Sequence, residues 1–415
     1  MSTLSNARLG SANTYDNAVR NITSRQSALS ALQENLTSGK RVVRASDDPT
    51  SAAIAERALT RISRIATDQR ALASQVDAIT QAESVLGDVT DALQRFRELT
   101  VSAGSGVHSS AERKTIALEM QGLRDQIYSL ANREDSNGLP LFSALGSALK
   151  PFVGPQATAP DYAFNGLPGQ SAGTAVSIPF ALDGDSAFML TSTQDASYNV
   201  SLGGGNANLQ ASAINVTDAT LINGSSYSIS AISILPVPAT NPPTSTATYT
   251  LMENPAGTST PTIGPPFPSS STTIPLTAPG ISLTLTGLPT LGDTINIVPN
   301  ASLFSVLDNA IKDIGGATSN TTASQAVSQA LHNIDIGMQR VSAVRGQAGE
   351  LLNRADRISG NQEKRSIQME ADRSRAEDLD MVKGISDFQN QQTGYQVAMQ
   401  TYAQIQKLSL FDFIR

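Results

Sequence analysis

The chain has 415 residues, long enough for two or three domains, and only 16% of them are charged, well under the roughly 25% of ordinary soluble proteins. The net charge of -7 argues against binding to phosphate backbones, and the absence of Cys excludes disulfides and thiolate metal sites while leaving the compartment open. Residues 1–10 hold no apolar run flanked by basic residues, so no cleaved secretory signal is expected, and no run of about 18 apolar residues predicts a membrane span.

Composition divides the chain by position. All 29 Lys and Arg lie outside residues 151–300, whereas 18 of the 20 Pro lie inside. That window holds seven acids (Asp161, Asp183, Asp185, Asp195, Asp218, Glu253, Asp293) and therefore carries the whole net charge, leaving the flanks neutral. Charge-balanced helical ends are joined to a Pro-rich, weakly acidic middle.

In chain order, the spacing predicts a first helix from about Ala12 to Ser38, with Tyr15, Val19, Ile22, Gln26, Leu29 and Leu36 on one face and Gly39 placed to end it. Asp48 is suited to cap a helix with Pro49 at its first position. That helix keeps one heptad seam (Ala58, Ile62, Ile65, Gln69, Leu72, Val76, Ile79, Glu83, Leu86, Thr90, Leu93) up to the Gly104-Ser105-Gly106 break, a rod of about 75 Å at 1.5 Å per residue. Ser109 to Glu112 has the form of a capping box, opening a helix with Ile116, Met120, Leu123, Ile127 and Leu130 on one face that folds back along the rod. Asn137-Gly138 forms a turn, and the helical half ends near Lys150.

Between 151 and 300 the period changes from 3.6 to 2. Residues 226–234, 281–286 and 294–297 alternate polar and apolar, which predicts short antiparallel strands separated by Gly, Pro and Asn turns. Residues 237–268 are so rich in Pro, Thr and Ser that an ordered and a mobile loop are equally compatible with them. Helix returns over 303–314. A third long seam follows at Val327, Leu331, Ile334, Met338, Val341, Arg345, Ala348, Leu352 and Ala355, and Gly360 is expected to loosen it.

The last stretch, 379–413, places Met381, Ile385, Phe388, Tyr395, Met399 and Tyr402 at alternating steps of four and three, with Gln392 and Gln406 between, and crowds Leu408, Leu410 and Phe411 into its final turns. Its seam needs a partner from the far end of the chain or from another molecule. Pairing of the two chain ends is the economical reading. The expected fold is therefore a multidomain α + β chain, in which a long antiparallel helical bundle or coiled coil made from both ends carries an inserted antiparallel β domain. The divisions are 1–45 with 370–415, 46–150 with 301–369, and 151–300.

Catalytic chemistry finds little support. His108 lies in a Gly/Ser loop and His332 on a helix, neither with a second ligand at metal spacing; no Gly-x-Ser-x-Gly elbow exists, and Asp47-Asp48 reads as a cap and a solvated acid. The glycine runs 104–106 and 203–205 lack the strand and helix of a phosphate cradle. Arg57, Arg61 and Arg64, and Arg354, Arg357, Lys364 and Arg365, alternate with acids along helix faces, a pattern of solvated or intersubunit surfaces.

The run Leu36-Thr37-Ser38-Gly39-Lys40-Arg41-Val42, with Ser46-Asp47-Asp48-Pro49 and the Ala-rich 52–55, is similar to the N-terminal signature of bacterial flagellins and their relatives. Val344-Arg345-Gly346-Gln347 through Leu352-Asn353-Arg354 resembles the matching C-terminal signature, and the likeness covers the two flanks. Pro49 after the two acids, the strand 292–297 before Leu303-Phe304, and the ending 402–411 resemble the hook-filament junction branch more than filament flagellins. The N-terminus departs from the Met-Arg-Ile-Ser start common in these families.

The resemblance implies a non-enzymatic structural subunit without cofactors or metal, located extracellularly in the flagellum and exported by its type III apparatus. It implies assembly as a homo-oligomeric ring between a neighbouring hook-associated protein and flagellin, with a cytoplasmic chaperone at the C-terminal helix. The terminal seams (Tyr15, Val19, Ile22, Leu29, Leu36, Met381, Ile385, Phe388, Tyr395, Met399, Tyr402, Leu408, Leu410, Phe411) are the expected assembly interface. The alternatives are flagellin itself, a hydrolase in the middle domain, which would need a nucleophile or metal motif in a window free of His, Cys, Lys and Arg, and an adhesin binding a glycan there.

Overall fold

The computed structural model describes residues 4–157, 160–204, 209–237, 242–290 and 292–413, without the side chains of 4–12, 14, 405 and 407–413. In chain order the elements are α1 (Leu4–Ser38), α2 (Pro49–Ala103), α3 (Ser110–Ala131), β1 (Phe152–Val153), β2 (Ala163–Phe164), α4 (Gly184–Phe188), α5 (Ser192–Asp195), β3 (Tyr198–Gly203), β4 (Gln210–Ala211) and β5 (Asn215–Val216). There follow β6 (Ser226–Val237), β7 (Thr244–Asn254), β8 (Thr258–Ile263), β9 (Phe267–Pro268), β10 (Thr273–Ala278), β11 (Ile281–Thr286), β12 (Thr294–Pro299), α6 (Leu303–Gly316), α7 (Asn320–Glu377) and α8 (Met381–Phe413). They fall into two compact units, one of residues 1–70 with 359–415 and one of 71–358.

The helix limits follow local chemistry. Asp48 Oδ1 accepts from the amides of Thr50 (3.2 Å) and Ser51 (3.1 Å), satisfying the first free donors of α2 behind Pro49. Ser109 accepts from the Glu112 amide while the Glu112 carboxylate accepts from the Ser109 amide at 2.6 Å, so the capping box opens α3 as its sequence predicts. Gly360 does not loosen α7, which runs through it without a break; a helical glycine weakens propensity by about 1 kcal/mol but leaves the backbone hydrogen bond intact.

In the unit of 71–358, α3 runs antiparallel to α2 (Arg95 to Glu119, 2.9 Å) and α7 antiparallel to α2 (Arg97 to Asp335, 2.9 Å; Arg345 to Glu83, 2.7 Å). Their facing seams are buried: Ile79, Leu86, Leu93 and Phe96 of α2, Met120 and Ile127 of α3, and Ile334, Val341 and Ala348 of α7. α6 joins from the other side, where Arg124 donates to both carboxylate oxygens of Asp308 at 2.5 and 2.9 Å. Residues 152–190, part of the Pro-rich window, pack into this helical core rather than into the sheets. Phe152, Tyr162 and Phe188 are buried around Phe304 with ring centres 5.2 to 5.7 Å away. Aromatic side chains of this size contribute too much by burial to stay on a surface loop.

The remaining strands form two antiparallel sheets over one core. One has the order β3-β12-β6-β7-β8, with β9 beside β7; the other pairs β10 with β11 and adds β4 and β5 on the far side of β11. Alternate residues Tyr227, Ile229, Ile295 and Ile297 point inward with Ile274, Leu276, Leu283 and Leu285, as period 2 requires. The Thr-rich 237–268 region is largely the β7–β8 hairpin, turned at Gly257 (φ +66), because Ala247, Tyr249 and Leu251 alternate with threonines. The outer edge of β3 is covered by α7. Gln329 accepts from the Val200 amide (3.1 Å), Asn333 donates to the Tyr198 carbonyl (2.9 Å), and Arg340 holds both oxygens of Asp195 at 2.9 and 3.0 Å.

Candidate assembly surface

In the unit of 1–70 with 359–415, the two chain ends pair. α1 ends at Gly39, whose φ of +70 suits a residue without Cβ, and α8 begins at Asp380, which accepts from the amides of Val382 and Lys383 at 3.1 Å. The helices run antiparallel, with the Tyr402 hydroxyl 3.0 Å from that of Tyr15 and the rings 5.7 Å apart. Stepping by heptads from that contact brings Ile22 level with Tyr395, Leu29 with Phe388 and Leu36 with Met381. Gly384 permits the closest approach: a Cβ there would lie 3.2 Å from Leu36 Cδ2. The hydrogen bond to Tyr15 raises the Tyr402 phenol above its ordinary pKa.

This pairing does not finish the surface. Among the described residues of α1 and α8, no apolar side chain is buried. Ile22, Leu29, Leu36, Phe388, Tyr395 and Tyr402 are half-buried, whereas Tyr15, Val19, Met381, Ile385 and Met399 remain 39 to 47% exposed. Val382 and Val397, outside the expected seam, are more exposed still, at 82 and 56%. A helix pair covers one stripe of each helix, so wider apolar faces stay wet until a further element packs on them. Leu408, Leu410 and Phe411 have side chains outside the described residues.

Sequence reasoning missed the neck where the links α1–α2 and α7–α8 pass each other. The Arg41 amide donates to the Glu377 carbonyl (2.7 Å) and the Leu379 amide to the Gly39 carbonyl (2.9 Å), as two short strand segments would. Lys40 pairs with Glu377, itself 3.2 Å from Arg373. The Arg41 guanidinium donates to the Ala376 carbonyl (2.7 Å) and Ser51 Oγ (3.1 Å), and Val42 is buried at 5% exposure. Hydrogen bonds from Ser51 and Thr50 hold the Asp48 carboxyl well below the usual carboxylate range. The signal was present in the run Gly39-Lys40-Arg41-Val42, but its partner lies more than 330 residues away.

Other candidates stay apart. His108 Nδ1 is 4.0 Å from Glu112, and His332 lies half-buried on α7. Among the described residues no three potential metal ligands cluster, and no helix is long and apolar enough to cross a membrane.

Comparison with known proteins bears on these helices. The bacterial flagellin N-terminal helical region matches residues 11–146, and the bacterial flagellin C-terminal helical region matches residues 331–414. Flagellar hook-associated protein 3 of Salmonella typhimurium is 36% identical over 141 residues, 33% of this chain and 44% of that protein; its Escherichia coli counterpart is 37% identical over the same shares. The chain thus spans less than half the length of these curated relatives. Among solved structures, flagellar hook-associated protein 3 of Legionella pneumophila aligns with a TM-score of 0.58 at 22% identity, over 76% of this chain and 97% of that one. The flagellar junction protein FlgL of the same organism aligns with a TM-score of 0.56 at 23% identity, over 72% and 98%, which supports the shared fold. With one helical region on each side of the β insertion and the two regions together covering more than half of its length, the chain belongs to the bacterial flagellin family.

Proposed function

We propose that the chain is a structural adaptor subunit of the bacterial flagellum that joins hook to filament, assembling into a homo-oligomeric ring through α1 and α8. The observation that carries the reading is the pair of terminal helices whose apolar faces stay half open in the lone chain. The names of the relatives support the flagellar hook region, and the solved junction protein shares the fold.

On this reading the neighbours are a hook-associated protein on the hook side and flagellin on the filament side. A cytoplasmic chaperone covers α8 before type III export, and the site of action is extracellular, at the hook-filament junction. Burial of a side chain such as Phe388 contributes roughly 1.5–3 kcal/mol, so several per subunit, repeated round a ring, hold it together. The second reading, flagellin, is favoured by the two family matches at the helical ends.

Deleting the gene separates them: loss of an adaptor releases flagellin into the medium and leaves hooks standing, whereas loss of flagellin leaves no monomer to release. The purified chain, seeded with filament fragments, is expected not to grow filaments; long filaments would overturn the junction reading.

A further inference from the structure

We propose that neighbouring copies of this chain meet head to tail through an arginine face on the first turns of α2 and an acidic face on the last turns of α7. The inference rests on the reading that copies assemble, and adds which surfaces meet and with what polarity.

The first face is an open groove of about 490 Å³ lined by Ala53, Glu56, Arg57, Thr60, Arg61 and Arg64. Among the described residues, none of its three guanidiniums is within ion-pair distance of a carboxylate, although the other arginines of the neck region (Arg41, Arg44, Arg373, Arg375) all are. Ile54, beside the groove, is 49% exposed. Unpaired guanidiniums next to exposed apolar surface are the composition of an interface anchor.

The second face follows a helical strip, Ser366, Ile367, Glu370, Ala371, Ser374 and Asp378, around an open groove of about 580 Å³, with exposed Glu363 one turn before Ile367. Ile367 is 64% exposed, with carboxylates on either side. Arg373 neutralises part of Glu370 at 2.6 Å, while Glu363 is without a basic partner among the described residues. The two faces complement each other in sign, in length of about three helical turns and in a central isoleucine. Both belong to one unit and are distinct surfaces, so a contact between them is heterologous and generates a ring or a helix rather than a closed dimer. A second copy fits better than nucleic acid or a membrane, since each positive surface then finds its own negative counterpart.

The chain has no cysteine, so cross-linking starts from a clean background. Full-length Arg61→Cys/Glu370→Cys, isolated in assembled flagella and mildly oxidised, is expected to give a ladder of disulfide-linked copies, and either single variant none. Dimers from one single variant would show an isologous contact and overturn the proposal. Absence of cross-links while a Tyr15→Cys/Tyr402→Cys control closes within each assembled copy would also overturn it. Failure of the wild-type chain to appear in flagella at all would instead remove the assembly reading beneath it. As a second arm, Arg57→Glu/Arg61→Glu/Arg64→Glu and Glu363→Lys/Glu370→Lys are each expected to lower incorporation at least about tenfold. Combined in one chain they should restore most of it, and a combination no better than either parent would refute the pairing.

Discussion

Replacing Leu29 and Phe388 together by alanine tests the open-seam account most directly. The two lie level in the antiparallel pair, and each is half-buried in the lone chain. Full burial of such side chains is worth roughly 1.5–3 kcal/mol each, so about half, near 1 kcal/mol per residue, remains to be gained on assembly. The double variant should therefore weaken each intersubunit contact by about 2 kcal/mol, near thirtyfold, and a ring multiplies that loss over its members. The unit of 71–358 has its own core and should melt at the wild-type temperature. Circular dichroism of the purified full-length chain and quantitative blotting of isolated flagella read the two effects. Wild-type incorporation together with wild-type melting would refute the reasoning; so would a fall in the melting of the 71–358 unit as large as the loss of incorporation.

Asp308→Asn removes the carboxylate that takes two hydrogen bonds from Arg124 and one from the Tyr162 hydroxyl at 2.6 Å; with Asp308 still partly exposed, a loss of about 2–3 kcal/mol is expected in urea unfolding. Gly337→Ala places a Cβ against the fully buried Leu303 side chain and should cost about 1–3 kcal/mol through overpacking, measurable by thermal melting. Asp48 has a depressed folded pKa, so its contribution to capping α2 is fully present above the ordinary carboxylate pKa and is lost only as pH falls through the lower folded value. An acid titration of helicity should show that late step in the wild type and lack it in Asp48→Asn.

Much of this architecture is readable from residues close together in the chain. Asp48-Pro49, Ser109 to Glu112 and Gly39 mark helix limits because capping is settled within four residues, and the α2 and α7 seams repeat often enough to name their buried positions. The antiparallel pairing of the chain ends was likewise legible, since two apolar stripes of equal length had few local residues to cover them. Three features were not. Phe152, Tyr162 and Phe188 sit in a Pro-rich window without helical period, and only the ring of Phe304, far along the chain, shows where they belong. The β7–β8 hairpin hides behind prolines and threonines that tolerate both loop and edge strand. The neck depends on Glu377 meeting Lys40 and Arg41, a match no local pattern announces.

The middle of the chain is gripped by arginines that it does not itself possess: Arg340 on Asp195, and Arg354 on the carbonyls of Gly173 and Thr174. Lys150 precedes a proline, so after Arg133 the next bond open to trypsin follows Lys312. Digestion must release the whole β insertion in one piece whether it is folded or not, and every additional cut maps to the helical flanks. A tryptic time course is thus a selective reporter of order in the two chain ends, in which protection appearing on polymerisation can come only from the segments that polymerise.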